Sequence, residues 1–232
     1  MPLPLSARAP LNKALLLIIA VNLLMLSYYI GIDYQFVFHS DTAAANLLAQ
    51  EMLETGHFFP PTWNYVNSDL WLLYMQVFIV PMLKFFPNGY PLHAVVSVIS
   101  AVLVLWGSWL LSRMAGLSTS ARLAVLAVFS SGLSPNMVEN LYGQAAYGTM
   151  YYSGCFVLYC AWRYLQDSGA RRWLWGAASM ALALTLFWAN PQRAAVYYGM
   201  PLALGTLARA WQRRRHPAAL NTPAWPRALA LL

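Results

Sequence analysis

Apolar residues in this chain come in long runs separated by short polar connections, a pattern that predicts helices crossing a bilayer. The first run, 14–32, follows Arg8 and Lys13. At about 1.5 Å per residue it is long enough for a hydrocarbon core of about 30 Å. No small-x-small cleavage pattern follows it; Tyr28, Tyr29 and Ile30 stand there instead, so the run reads as an uncleaved anchor. Later runs predict spans over 90–111, 121–138, 145–163, 173–189 and 194–210. One more apolar stretch, 70–86, is close to the minimum length and is interrupted by Pro81 and Lys84. Charge decides how it is read. If 70–86 stays on one side, Arg113 and Arg122 flank an inside loop, and Arg163, Arg171, Arg172, Arg209 and Arg213 to Arg215 also lie inside. If it crosses, nearly all of them move outside, against the positive-inside rule. The pattern therefore predicts six spans, a cytoplasmic N-terminus and an interfacial or re-entrant helix over 70–86.

The polar exception is the segment 33–69, which holds Asp33, Asp41, Glu51, Glu54 and Asp69, five of the seven acidic residues. Ser40 and Asp41 stand where a helix cap belongs, ahead of a helix-forming run from Thr42 to Glu54 that ends at Gly56. Leu47, Leu48 and Met52 are expected on one face of a short amphipathic helix. Beyond it, 57–69 is rich in proline and aromatic residues, which suits an irregular segment at lipid headgroups.

Composition agrees with this class. With 60% hydrophobic and 9% charged residues, the chain has too few charges to cover a soluble globule of its length. The net charge of +7 does not point to nucleic acid, because the basic residues sit in clusters between apolar runs rather than along one stripe. The expected fold is an all-α, polytopic transmembrane helical bundle with interfacial helices in the first outside loop, in the inner (plasma) membrane. Its partner is the lipid bilayer. Cys155 and Cys160 lie five positions apart in an apolar run, out of register for a disulfide or a metal pair.

Asp41, beside His39 and Ser40, has the chemistry of a general base or of a divalent-cation ligand, the one cofactor this stretch suggests. It is equally an acidic residue in a first helical turn, stabilised by the helix dipole alone. Asn190-Pro191-Gln192-Arg193 falls at the outside turn between the last two spans, where an arginine either meets an anion or snorkels to headgroups. Glu139, with Asn140, Tyr142 and Gln144, falls at another outside turn. His39 and His57, eighteen apart, lack the spacing of a metal motif. Tyr147, Tyr151 and Tyr152 read as an aromatic belt, and the spans read as free of ionisable residues, which argues against ion-coupled transport.

The order of a basic start, a span, an outside loop HSDTAAANLLAQEMLETGHFFPPTW, an apolar interfacial helix and the run YPLHAVVSVISAVLVLWGSWLLSRMAG resembles the N-terminal part of the GT-C glycosyltransferases. That superfamily of polytopic enzymes includes the protein O-mannosyltransferases and the lipid A aminoarabinose transferases. The resemblance implies that Asp41 is the catalytic position, with Ala45, Met52, Leu53, Gly56 and Pro60 or Pro61 matching the helix that follows and its exit. It departs from the family in having Thr42 where many members have a second acid, and Asn67, Ser68 and Asp69 where many have a lysine. A two-carboxylate variant using Asp41 and Asp69 is one consequence. The resemblance further implies a polyprenyl-phosphate sugar donor, with Arg193 near the donor phosphate; Asn190, Gln192, Tyr197 and Tyr198 stand where they would support it, and Glu139 is expected to face the same cavity. Family members usually have more spans, and the closing PAWPRALALL reads as the start of a further helix, so the chain is expected to be the N-terminal part of a longer architecture. The rival class is a polytopic membrane protein without catalysis: a truncated homologue, an assembly subunit or part of a transporter.

Overall fold

The computed structural model describes residues 5–65, 74–132 and 134–215. Every regular element among them is helical. Helix α1, Leu5–Tyr28, runs on through a π-helical turn, Tyr29–Asp33, and a 3-10 turn, Tyr34–Val37. The chain then reverses into α2, Ser40–Thr55, which stops at Gly56 in the left-handed region (φ 68°). A short α3, Gln76–Met82, precedes the long α4, Tyr90–Met114.

Two of these helices are long and apolar enough to cross a membrane among the described residues: Ala9–Val37, with mean hydropathy 2.3, and Tyr90–Met114, with 2.2. They differ in setting. Only 17% of the first is buried inside the protein against 56% of the second, so α4 is the central helix and α1 a peripheral one.

The expected span 121–138 is not one helix. It is broken into α5, Thr119–Ser130, and α6, Pro135–Val138, which continues through a π-helical turn, Glu139–Gly143; the two halves are bent by 100°. The break has local causes: Gly132 is left-handed (φ 73°), the Ser134 side chain accepts from the Met137 amide at 3.2 Å as a cap, and Pro135 starts the next helix. Helices α7, Ala146–Gln166, and α8, Ala170–Ala189, cover the expected spans 145–163 and 173–189. The expected span 194–210 lies within α9, Pro191–Ala194, a π-helical turn, Ala195–Gly199, and α10, Met200–Arg215. The helix expected over 70–86 is shorter among the described residues, since only Gln76–Met82 is helical. Pro81 inside it cannot donate to the preceding turn, which limits its length. Residues 70–73 and the closing PAWPRALALL lie outside the described residues.

Side-chain contacts fix the helix directions. Ser120 donates to Asn12 at 2.7 Å and Asn22 donates to Ser130 at 3.1 Å, so α1 and α5 run the same way. His93 meets Gly143 while Trp106 meets Phe156, so α4 and α7 also run the same way, whereas Ser179 donates to Val157 and Trp175 to Asp167, so α8 returns antiparallel to α7. One end of the body thus collects Asp33, Asp41, Glu51, Glu54 and Glu139; the other collects Lys13, Arg113, Arg122, Arg163, Arg171 and Arg172 with one acid, Asp167. We call these the acidic and basic ends.

Small residues let the central helices approach. A Cβ on Gly107 would stand 3.1 Å from the Cys155 Cβ and 3.2 Å from the Tyr152 Cα, and Ala94, Ala101, Ser97, Ser100 and Ser108 of α4 are also buried. Tyr152 is buried in this contact and Tyr151 bonds to Ser108 at 3.0 Å, so neither belongs to an aromatic belt as expected. On α2 the buried face holds Thr42, Ala45, Asn46, Leu48, Ala49 and Met52, while Leu47, expected on it, is 58% exposed. Both cysteines are buried free thiols.

The basic end of the α7–α8 hairpin is clamped. Arg163 donates Nη2 to Asp167 at 2.7 Å and Nε at 3.3 Å, Trp175 donates to the same carboxylate at 2.9 Å, and the guanidinium lies 5.0 Å over the Trp175 ring. The Arg163 hydrogen bonds hold the Asp167 carboxyl below its ordinary value near 3.8, with Trp175 and the charge of Arg171 acting in the same direction.

Two outcomes follow for stability in detergent. A Cβ on Gly148 would fall 2.0 Å from the Leu141 carbonyl oxygen, so Gly148→Ala should destabilise by about 3 kcal/mol, the upper end of ordinary overpacking, while Gly31→Ala, with nothing within 4 Å, should be near neutral. Because the folded Asp167 pKa is depressed, its stabilisation is complete above the ordinary carboxyl value and disappears as pH falls through the lowered one. The melting-temperature difference between wild type and Asp167→Asn should therefore be constant at neutral pH and shrink below about pH 4.

Candidate functional site

The acidic end is built from the turn after α1. Tyr34 is fully buried, and its hydroxyl lies 3.1 Å from Thr42 Oγ1, which pins the 3-10 turn to the first turn of α2. Gly143 leaves room for that ring, since a Cβ there would stand 2.5 Å from Tyr34 Cζ. His39, in extended backbone (φ −114°, ψ 178°), is the residue that precedes α2. Its Nε2 is 3.3 Å from Thr42 Oγ1 and donates to Glu139 Oε1 at 2.7 Å. A chain of polar groups thus runs from Tyr34 through Thr42 and His39 to Glu139, on the turn before α7.

Asp41 sits in the first turn of α2, exposed, and its carboxylate has no hydrogen bond or ion pair among the described residues. Neither Asp41 nor Ser40 is the cap expected from the sequence, because the helix begins one residue earlier and the preceding residue is His39, whose side chain makes no capping bond. What remains for Asp41 is its place at the N-terminus of a helix, where the dipole favours a negative side chain without consuming its oxygens.

Arg193 is positioned by its own motif. Asn190 ends α8 in extended backbone, its Oδ1 accepts from the Arg193 amide at 2.9 Å, and Pro191 occupies the first helical position of α9. The guanidinium donates Nη1 to the Tyr74 hydroxyl at 2.8 Å and lies 5.4 Å over the Tyr147 ring. Asn190 therefore serves as a cap, and Gln192 is exposed on the same turn. Asp69, the other acid expected here, lies outside the described residues, as do Asn67 and Ser68.

Two adjacent pairs tie the Asp41 helix to the Arg193 turn. Met75 shares an apolar cluster with Ala45 and Ala49 of α2 and with Ala145, while its neighbour Tyr74 packs among Ala146, Met150, Leu186, Ala194 and Tyr198 and accepts the Arg193 bond. Ala145, left-handed at φ 57°, and Ala146 divide between the same two clusters, and Tyr147 carries Arg193 one residue later. The first loop also reaches across: Phe59 packs edge-on against Trp188 at 5.7 Å, two residues before Asn190, and Thr62 holds the loop to α2 through Glu51. Both candidate groups therefore sit at the N-terminal end of α7.

Several residues at this end were not singled out from the sequence. His93, inside an expected span, is fully buried; Nε2 donates to the Gly143 carbonyl at 2.9 Å and Nδ1 stands 2.7 Å from Asn46 Oδ1. Asn46 in turn donates to Asn88 Oδ1 at 2.9 Å. The spans are thus not free of ionisable residues, and the signal was available, since a histidine in an apolar run needs a partner. Tyr74 and Gln76 were also missed; Gln76 is buried beside Met75, and its Oε1 has no hydrogen-bond partner among the described residues. Among the described residues no group of three or more His, Cys, Asp or Glu side chains is arranged to hold a metal ion.

Comparison with known proteins finds no matching family model, no matching curated protein and no matching solved structure.

His93→Ala would leave the buried Gly143 carbonyl with only Ser97 at 3.4 Å and would take the ring partner from Asn46 Oδ1, at about 1–3 kcal/mol in all. The variant should melt well below wild type in detergent, whereas Asn140→Ala, which removes only an exposed bond to Asn136, should not.

Proposed function

We propose that this chain is the N-terminal part of a GT-C type membrane glycosyltransferase, which moves a sugar from a polyprenyl-phosphate donor to an acceptor hydroxyl at the outer face of the cytoplasmic membrane. The acidic end faces outward and the basic end inward, with six crossings, the 121–138 crossing broken, and α2 and α3 at the outer interface. The positive-inside rule supports this orientation. Phe85 and Phe86, 80% and 56% exposed just after α3, suit lipid headgroups.

One observation carries the reading: an exposed carboxylate with no partner among the described residues, Asp41, begins a helix whose apolar face shares its packing with the residues that orient Arg193. In the reaction, Asp41 takes the proton of the acceptor hydroxyl, and the oxygen attacks the anomeric carbon as its bond to the lipid phosphate breaks. Arg193, aimed by Tyr74 and Tyr147, offsets the charge left on the departing phosphate. The sugar carbon inverts. His39 and Glu139 hold the first turn of α2 in place, and the Gln76 acceptor, without a partner among the described residues, suits a hydroxyl of sugar or acceptor.

Release of free polyprenyl phosphate from a labelled polyprenyl-phosphate sugar, in membranes containing the protein, tests this without knowing the acceptor. Asp41→Asn should lower release at least about 100-fold at unchanged protein level, as expected for loss of a general base. Full release by Asp41→Asn sinks the proposal and leaves Asp41 as a residue that only complements the helix dipole.

A further inference from the structure

At the basic end, between α7 and α8, lies an open cavity of about 380 Å³ lined by Arg163, Arg171, Leu174, Trp175 and Ala178. Its walls divide into two chemistries. Side chains of Arg163 and Arg171 line one part, and no acid among the described residues lines any of it, because Asp167 holds Arg163 from outside. Arg163 spends Nε and one Nη2 hydrogen on Asp167 and one Nη1 hydrogen on Tyr159, which leaves two of its five N–H donors without an acceptor among the described residues. Arg171 is exposed. Leu174 and Ala178 form the apolar part, and Leu174 begins an exposed stripe on α8 that continues through Ala177, Ala181, Leu184 and Trp188 at helical spacing.

We propose that this cavity binds an anionic phospholipid, its phosphate between Arg163 and Arg171 and an acyl chain along the α8 stripe. Charge complementarity selects the headgroup. A zwitterionic lipid would bring its own cation against two arginines, whereas phosphatidylglycerol brings a net negative charge to an arginine already fixed by Asp167 and Trp175, so little side-chain freedom is lost on binding. Free phosphate would make the same polar contacts but leave Leu174 and the stripe below it uncovered. This inference does not depend on the catalytic reading.

The test is native mass spectrometry of the purified protein released from vesicles of equimolar phosphatidylglycerol and phosphatidylcholine. Wild type should retain phosphatidylglycerol over phosphatidylcholine by about 30-fold, as expected when two cations each contribute at a membrane surface. Arg171→Glu should bring the ratio near one. Leu174→Trp, which fills the cavity but keeps every charge, should do the same, and Arg113→Ala, which removes a positive charge from the same end outside the cavity, should leave the ratio unchanged. Equal retention of the two lipids by wild type, an Arg113→Ala loss as large as that of Arg171→Glu, or displacement of the lipid by inorganic phosphate at equal concentration would overturn the proposal.

Discussion

The carbonyl of Gly143 is the constraint on which much of this structure depends. It closes a π-helical turn and precedes a left-handed alanine, so the helix that follows cannot satisfy it, and in an apolar body an unpaired carbonyl is costly. His93 donates to it and Ser97 approaches at 3.4 Å, both from α4. The other edge of the same imidazole meets Asn46, so one buried ring joins the central helix, the first-loop helix α2 and the turn before α7. Because Gly143 also makes room for the Tyr34 ring, the exit from α1 is fixed at the same point.

That junction brings together parts of the chain with opposite tasks. The first loop supplies carboxylates and the turn after α8 supplies a cation, and each is held by short local devices: the His39–Glu139 bond on one side, the Asn190 cap and Tyr74 on the other. The breaks in the helices serve the same purpose. A span that ended as a straight helix would carry its polar groups past the end of the body, whereas the bend between α5 and α6 turns Glu139 back toward His39.

The basic end is organised differently. Three of its arginines are paired with aromatic faces, Arg122 on Trp109, Arg172 on Tyr164 and Arg163 on Trp175, and a single acid fixes one of them. Such an end favours anions and apolar surface together, which is the combination an anionic lipid presents.

The sequence by itself determined the helical class, the apolar runs that become α1 and α4, the stop at Gly56 and the separation of acids from arginines, because these rest on local composition and on the cost of charge in an apolar medium. The Asn-Pro turn that caps α9 was legible for the same reason, although its asparagine was assigned to a ligand rather than to the cap. The break of 121–138 is local too, at Gly132, Ser134 and Pro135, whereas tertiary structure alone decided that Leu47 faces away from the core, that Tyr152 is buried, and that Asp41 and Arg193 are set on the same end of α7. Each of these depends on contacts between residues tens of positions apart, Asn46 with His93 or Tyr74 with Arg193, which hydrophobic periodicity cannot encode because any apolar helix satisfies it equally well.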